Sequence, residues 1–198
     1  MSKRRGTTQK RCSKCFINLE QCFCKHLTQI QTSTKTTIIF HLKEYFLTSN
    51  TGKISLEVLS NSDYFIRGNK EKSPLSLEVA KEYQGLYLFP SNGSVELTKE
   101  LINSFEKPIH LFVPDATWSQ AKKFHKREKL LSSIPHVHLA NCPKSQYTLR
   151  KQNSDKGLCT IEAIAYAMGI IENIEVQEYL LKILKIMNDE VMKSRALI

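Results

Sequence analysis

Ile109-His-Leu-Phe-Val is a short apolar run that ends at Pro114, and three residues later Thr117-Trp-Ser-Gln120 spells a helix start. A threonine ahead of the first turn can accept from a free N–H, and a glutamine three residues on can reach back, closing a capping box. The same succession of apolar run and helical stretch recurs along the chain. Thr36-Thr-Ile-Ile-Phe-His-Leu and Gly85-Leu-Tyr-Leu-Phe read as buried strands, with His136-Val-His-Leu and Tyr147-Thr-Leu-Arg as shorter candidates. Helices are expected over 53–60, 75–83, 96–105, 117–131 and 160–167, the last closed by Gly169. Val176, Leu180, Ile183, Leu184, Met187 and Val191 set an apolar stripe on a final helix. Strands alternating with helices predict an α/β fold on a mostly parallel sheet.

The 198 residues suit one domain of ordinary size with a short appendage. The division expected is a basic tail and cysteine arm over 1–26, then one domain over 27–198. No stretch approaches the ~18 apolar residues of a membrane span. The basic N-terminal residues lack the apolar segment of a signal peptide, so a cytoplasmic, reducing setting is expected. The net charge of +10 is concentrated. Residues 1–26 hold seven basic and one acidic residue, and residues 119–130 hold five and one. Two such patches point to a polyanion, RNA or DNA, as partner, with a merely basic surface as the alternative.

Cys12-x-x-Cys15 and Cys22-x-Cys24 place four thiols within thirteen residues. Tetrahedral zinc takes four such soft ligands at about 2.3 Å, and a closed set of four would be structural, not catalytic. Disulfides, free thiols and an iron–sulfur site are the alternatives; a reducing compartment disfavours disulfides. Cys142 and Cys159 stand apart and read as small buried hydrophobes.

Asp115 falls between the apolar run and the capped helix, at a strand end where open α/β sheets collect ligands. A carboxylate there can accept a proton or orient a substrate, or simply favour the helix dipole. On the helix that follows, Ala121, Phe124 and Leu131 mark an inward face. Lys122, Lys126 and Lys129 mark an outward one, beside Lys123 and Arg127. A row of this kind binds phosphates without reading sequence.

The segment Pro114-Asp-Ala-Thr-Trp-Ser-Gln-Ala-Lys-Lys123 resembles the signature of the DTW-domain family. Further pieces agree in order: the four cysteines, His41 leading to Asn50-Thr-Gly-Lys53, Tyr147 to Arg150, and Leu158-Cys-Thr-Ile-Glu-Ala-Ile-Ala165. The family is that of tRNA-uridine aminocarboxypropyltransferases, so the resemblance implies a SPOUT-like knotted α/β fold with a small zinc arm. It implies that S-adenosylmethionine donates its 3-amino-3-carboxypropyl group to N3 of a tRNA uridine, leaving methylthioadenosine. The alternatives are a SPOUT-type RNA methyltransferase and a non-catalytic zinc-containing RNA-binding protein. In the first reading Asp115 is the candidate general base, Thr117 fixes the turn and Trp118 packs beneath it or against the cofactor. Pro114, Asn50, Thr51, Leu158, Thr160 and Glu162 are the expected cofactor contacts. Cys12, Cys15, Cys22 and Cys24 are the expected zinc ligands, and Lys122, Lys123, Lys126, Arg127 and Arg150 the expected tRNA contacts. No obligate protein partner is implied. Three positions depart from the family pattern: Cys159 where serine is usual, Leu42 after His41 instead of proline, and Lys53 instead of arginine.

Overall fold

The computed structural model describes residues 10–68, 77–149 and 157–196. In chain order the elements are β1 (Lys35–His41), α1 (Leu42–Tyr45), α2 (Gly52–Val58), β2 (Ser62–Arg67), β3 (Gln84–Leu88) and β4 (Val95–Glu96). They continue with α3 (Lys99–Asn103), β5 (Ile109–Asp115), α4 (Trp118–Arg127), α5 (Lys129–Ser133), β6 (His136–His138), α6 (Thr160–Ile171) and α7 (Ile174–Ala196). The strands form one six-stranded sheet in the order β2-β1-β5-β3-β6-β4, every pairing parallel. A parallel sheet must be covered on both faces, and the side-chain alternation shows how. Ile38, Phe40, Leu86, Leu88, Ile109, Leu111 and Val113 pack into one core shared with α2, α6 and α7. Ile39, Tyr87, Phe89 and Phe112 pack into a second core against Ala121, Phe124 and Leu131 of α4 and α5. The stripe of α7 is buried as its spacing predicted.

The N-terminal arm joins the first core: Ile17 and Phe23 are buried within it. Ile30 extends the contact by bridging to Leu59, its N–H donating to the Val58 carbonyl at 2.8 Å.

Several boundaries differ from the sequence pattern, each for a tertiary reason. Pro114 does not end β5, which runs on to Asp115. β3 pairs with β5 only as far as Phe112, so proline sits where that flank is open and costs no ladder bond there. The expected long helix after Thr117 breaks at Glu128, whose backbone is extended. The Glu128 carboxylate is held there by a half-hidden ion pair with Arg67. Gly169 lies inside α6: a Cβ on it would stand 2.0 Å from Oε1 of Gln177, so the glycine serves close packing of α6 on α7. Residues 77–83 carry only a turn instead of the expected helix, because the chain must enter β3 at Gln84, which donates to the Pro108 carbonyl. β4 takes Glu96 and leaves α3 a single capped turn. Tyr147–Leu149 is irregular instead of a strand, and Arg150 lies outside the described residues. The edge strand β2 has no counterpart in the sequence pattern.

His110 is buried in β5, with Nε2 2.7 Å from the Thr37 hydroxyl and its ring stacked on Phe112. Burial, aided by Lys35 and opposed by Asp63 and Glu82, pushes it down to about 4. In the unfolded chain a histidine titrates near ~6.5. Between those values the unfolded chain takes a proton that the folded one refuses, so stability falls as pH drops through this window. The expected loss is about 2–3 kcal/mol by the bottom of the window. Urea melts from pH 7 to pH ~4.5 check it; His110→Phe should flatten the decline, and an equally steep decline in that variant would refute the assignment.

Candidate functional site

The carboxyl ends of β3, β5 and β6 open onto a cavity of about 290 Å³, at the lower end of the ~300–1,000 Å³ range of small-molecule sites. Leu88, Phe89, Pro114, Ala116 and Leu139 bring its walls from the three strand ends, and Trp118 and Ala121 come from α4. Leu158, Thr160 and Ala163 bring the N-terminal end of α6. The lining is mainly apolar with two helix N-termini beside it, which suits a flat apolar ring system carrying polar groups. Trp118 is 57% exposed, with its ring centroid 5.8 Å from that of Phe89. Its ring is thus a wall of the cavity and not a core anchor. Thr117 caps α4: its N–H donates to Gln120 Oε1 at 2.8 Å, and its hydroxyl accepts from Gln120 N–H at 3.4 Å.

Pro114 and Ala116 face the cavity, whereas Asp115 between them continues the other face of β5, toward α2 and α6. Its carboxylate is 4% exposed and accepts from the Asn50 side-chain amide at 2.8 Å. The Asn50 oxygen in turn accepts from the Lys53 N–H at 3.0 Å, so one side chain closes the first turn of α2 and holds Asp115. Gly52 makes room: a Cβ there would lie 2.3 Å from Asp115 Oδ2. Thr51 ties in α6 by accepting from the Ile161 N–H at 3.3 Å. The Asn50–Gly52 turn therefore joins the end of β5 to the start of α6.

Glu162 is fully buried. It accepts from Ser145 Oγ at 2.6 Å and from the Gln146 and Cys159 N–H groups at 2.7 and 2.8 Å. It clamps the segment that precedes α6 and supplies the carboxylate half of a capping box at Cys159. Burial and Glu162 together push the Cys159 thiol up. Cys159 is partly buried and packs against the main core, whereas Cys142, half-buried, lines the cavity instead of joining the core.

The four arm sulfurs lie within 4.8 Å of one another. Cys12 and Cys24 are 3.7 Å apart and Cys15 and Cys22 3.9 Å. A disulfide requires about 2.04 Å, whereas a tetrahedron with metal–sulfur bonds of ~2.3 Å puts its sulfurs about 3.8 Å apart. The donor set fits a metal ion. Burial pushes Cys15 up to about 11 and Cys24 higher still, whereas Cys12, against its own burial, is brought down to about 7 by the backbone N–H groups of Cys15 and Lys14. A cation would hold the crowded thiols ionised together. On the surface, Lys122, Lys123, Lys126 and Arg127 are exposed along α4, directly after the cavity wall.

The sequence profile of the DTW domain matches residues 9–192. The chain belongs to the DTW-domain family. It is 29% identical over 178 residues to a tRNA-uridine aminocarboxypropyltransferase 2 from Macaca fascicularis, covering 86% of this chain and 60% of the relative. The Mus musculus protein of that name is 28% identical over the same share. The Drosophila melanogaster one is 32% identical over 46% of this chain. The chain thus spans 60% of the length of the first two relatives. A SAM-dependent rRNA:acp-transferase of known structure from Vulcanisaeta distributa aligns with a TM-score of 0.48 at 16% identity, covering 82% of this chain and 80% of that one.

In this DTW domain, Pro114, Trp118, Leu158 and Thr160 meet at one cavity, while Asn50, Thr51 and Glu162 brace the frame behind it. Sequence reasoning missed Gly52, Phe89, Leu139 and the burial of Lys53. Phe89 and Leu139 were within reach, since each follows a strand end at the ligand-collecting edge of the sheet.

Proposed function

We propose that this chain transfers the 3-amino-3-carboxypropyl group of S-adenosylmethionine to N3 of a uridine in tRNA. The observation that carries the reading is a ring-sized cavity, walled by Trp118 and two helix N-termini, at the strand end that bears Asp115. Membership of the DTW family and relatives named for this reaction on tRNA uridine support it. S-adenosylmethionine takes the cavity, with its adenosine against Trp118, Phe89 and Leu158 and its polar groups toward the N-terminus of α6.

In this reading Asp115 takes the uridine N3 proton although its carboxylate lies behind the cavity, against Asn50 and Gly52, so the uridine must reach it around the end of β5. The N3 electron pair attacks the carbon of the aminocarboxypropyl chain bonded to sulfur. That C–S bond breaks and its electrons neutralise the sulfonium, so methylthioadenosine leaves. The proton passes from Asp115 to solvent. Every carbon on the sulfonium is activated, so placement decides which one reacts. Asn50 holds the carboxylate by donating to its charged form. Two described stretches of the late chain meet the 49–51 turn: Tyr147 Oη donates to the Ser49 carbonyl and Ile161 N–H to Thr51. These contacts support the knotted SPOUT-like reading. Cys12, Cys15, Cys22 and Cys24 hold structural zinc, in keeping with a reducing cytoplasmic setting.

Incubation with unmodified tRNA and S-adenosylmethionine, then mass spectrometry of the digested nucleosides, tests the reading. Aminocarboxypropyluridine together with methylthioadenosine is expected. Methyluridine with S-adenosylhomocysteine would instead establish a methyltransferase, and tRNA binding with neither product a binding protein.

The α4 cations position the tRNA through its phosphates. Lys122→Glu with Lys126→Glu should weaken tRNA binding about tenfold or more near 0.1 M salt. The slope of log affinity against log salt should fall by about one for each phosphate that the variant no longer neutralises. Filter binding across a salt series measures both. An unchanged slope would remove this face from the interface.

A further inference from the structure

A second hollow, of about 320 Å³, lies between the arm and the β2 edge of the sheet and shares no lining residue with the first cavity. Lys14 and Phe16 line it from the arm, Tyr45 from α1, Lys53 from α2 and Tyr64 from β2. Its tyrosines are seated on the core: both stand edge-on to buried Phe40, with centroids 5.2 and 5.9 Å from it. Their own rings are stacked, 5.5 Å apart at 18°. Yet Tyr64 is 46% exposed, and Phe46, edge-on to Tyr45, is exposed further. Trp118, which walls the first cavity, is the other aromatic residue so exposed among the described residues. Exposed rings held at fixed angles make a stacking platform. Phe40 pairs with Asp115 across β1 and β5, so this platform stands on the Asp115 side of the sheet.

Lys53 supplies a second, independent sign of a ligand. It is 7% exposed, and its Nζ sits among the lining rings, 3.6 Å from the centroid of Phe16 and 5.6 Å from that of Tyr45. Ring faces attract an ammonium but give its three donors no oxygen, and Nζ has no hydrogen-bond partner among the described residues. A buried donor in that state calls for an acceptor. The acids of the same hollow are engaged elsewhere, Glu57 with Lys14 and Asp63 with Lys35, and they would repel a phosphate. A flat, uncharged, carbonyl-bearing group fits both the rings and the ammonium. Lys10, Arg11 and Lys43, exposed a few residues along from the lining, suit the phosphates that flank such a group in a nucleic acid strand.

We propose that this hollow takes an unpaired, carbonyl-bearing nucleobase of the RNA substrate, stacked on Tyr64 and accepting a hydrogen bond from Lys53. That the strand is RNA rests on the tRNA reading above. The test uses the full chain with fluorescein-labelled hexauridylate and hexaadenylate, followed by anisotropy, since adenine has no carbonyl. Hexauridylate should bind several-fold tighter, and Lys53→Met should abolish the preference. Tyr64→Ala should weaken hexauridylate about tenfold and Tyr64→Phe should not. Because stacking releases no counterions, the salt slope should stay as in wild type, unlike that of the α4 variant. Iodouridine placed in the oligomer should crosslink to Tyr64 or Tyr45 of the wild-type chain, which decides the matter if a variant fails to fold. Crosslinks confined to Trp118 or α4, or equal affinity for the two oligomers, would overturn the proposal. A chain that binds hexauridylate in this way but makes no aminocarboxypropyluridine would overturn the proposed function and not this site.

Discussion

Asp115→Asn should lower turnover by about 10²–10⁴-fold, the usual share of a general base, while S-adenosylmethionine affinity stays within about twofold of wild type. The geometry makes this substitution informative. Asn50 donates its amide to Asp115 Oδ1, and an asparagine carbonyl at position 115 can accept the same bond. Gly52 leaves room for either group, since the two side chains are nearly isosteric. What the variant loses is the negative charge and the capacity to take a proton. The cavity proposed for S-adenosylmethionine is walled by Pro114 and Ala116 on the opposite face of β5, so affinity measured by calorimetry should hardly change. The fall should appear in kcat and in kcat/KM alike, the pattern of an interaction made only in the transition state. Near-normal turnover with unchanged cofactor binding would take the proton-acceptor role from Asp115. A parallel loss of binding and melting temperature would make it a bracing residue.

The site was legible where local chemistry and position coincide. The Thr117–Gln120 capping box could be read directly because both halves lie within one helical turn, and it forms as spelled. Asp115 stood out because an apolar run and a helix start bracket it. What Asp115 touches was not legible. Asn50 is 65 residues away, and the need for glycine at 52 arises only when β1 and β5 pair and bring α2 over the strand end. Lys53 shows the same limit in reverse: in sequence it is one more cation in a basic chain, and only the arm folding back across α2 buries it. The fold boundaries failed for a related reason. Pro114 and Gly169 are local stop signals, and both were overruled by partners far along the chain. An unpaired flank of β5 tolerates the proline, and the glycine lets the Gln177 side chain of α7 lie close against α6. β2 escaped notice because its side chains are mostly half-exposed, as suits an edge strand, so it lacks an apolar pattern.

Removing the proposed zinc should cost the protein a share of its main core and not only its first residues. Cys12 and Cys24, with Cys15 and Cys22, fold the knuckle that sets Ile17 and Phe23 into the cluster beneath α6 and α7. Without a cation the crowded thiols reprotonate and the knuckle loses its reason to stay closed. Withdrawing an aromatic side chain as deeply buried as Phe23 costs about 3–5 kcal/mol. At about 2–4 °C per kcal/mol for a chain of this size, chelation or Cys12→Ser with Cys15→Ser should lower the melting temperature by about 10 °C. Zinc returned to the chelated wild type should restore it; returned to the double variant it should not. One equivalent of zinc per chain, released by a thiol-modifying reagent, is the expected stoichiometry. Cobalt in its place should give the intense visible bands of a tetrahedral thiolate site. A metal-free protein that melts at the same temperature with and without these cysteines would show that the arm closes by packing alone. In that case the four thiols would lose their structural role.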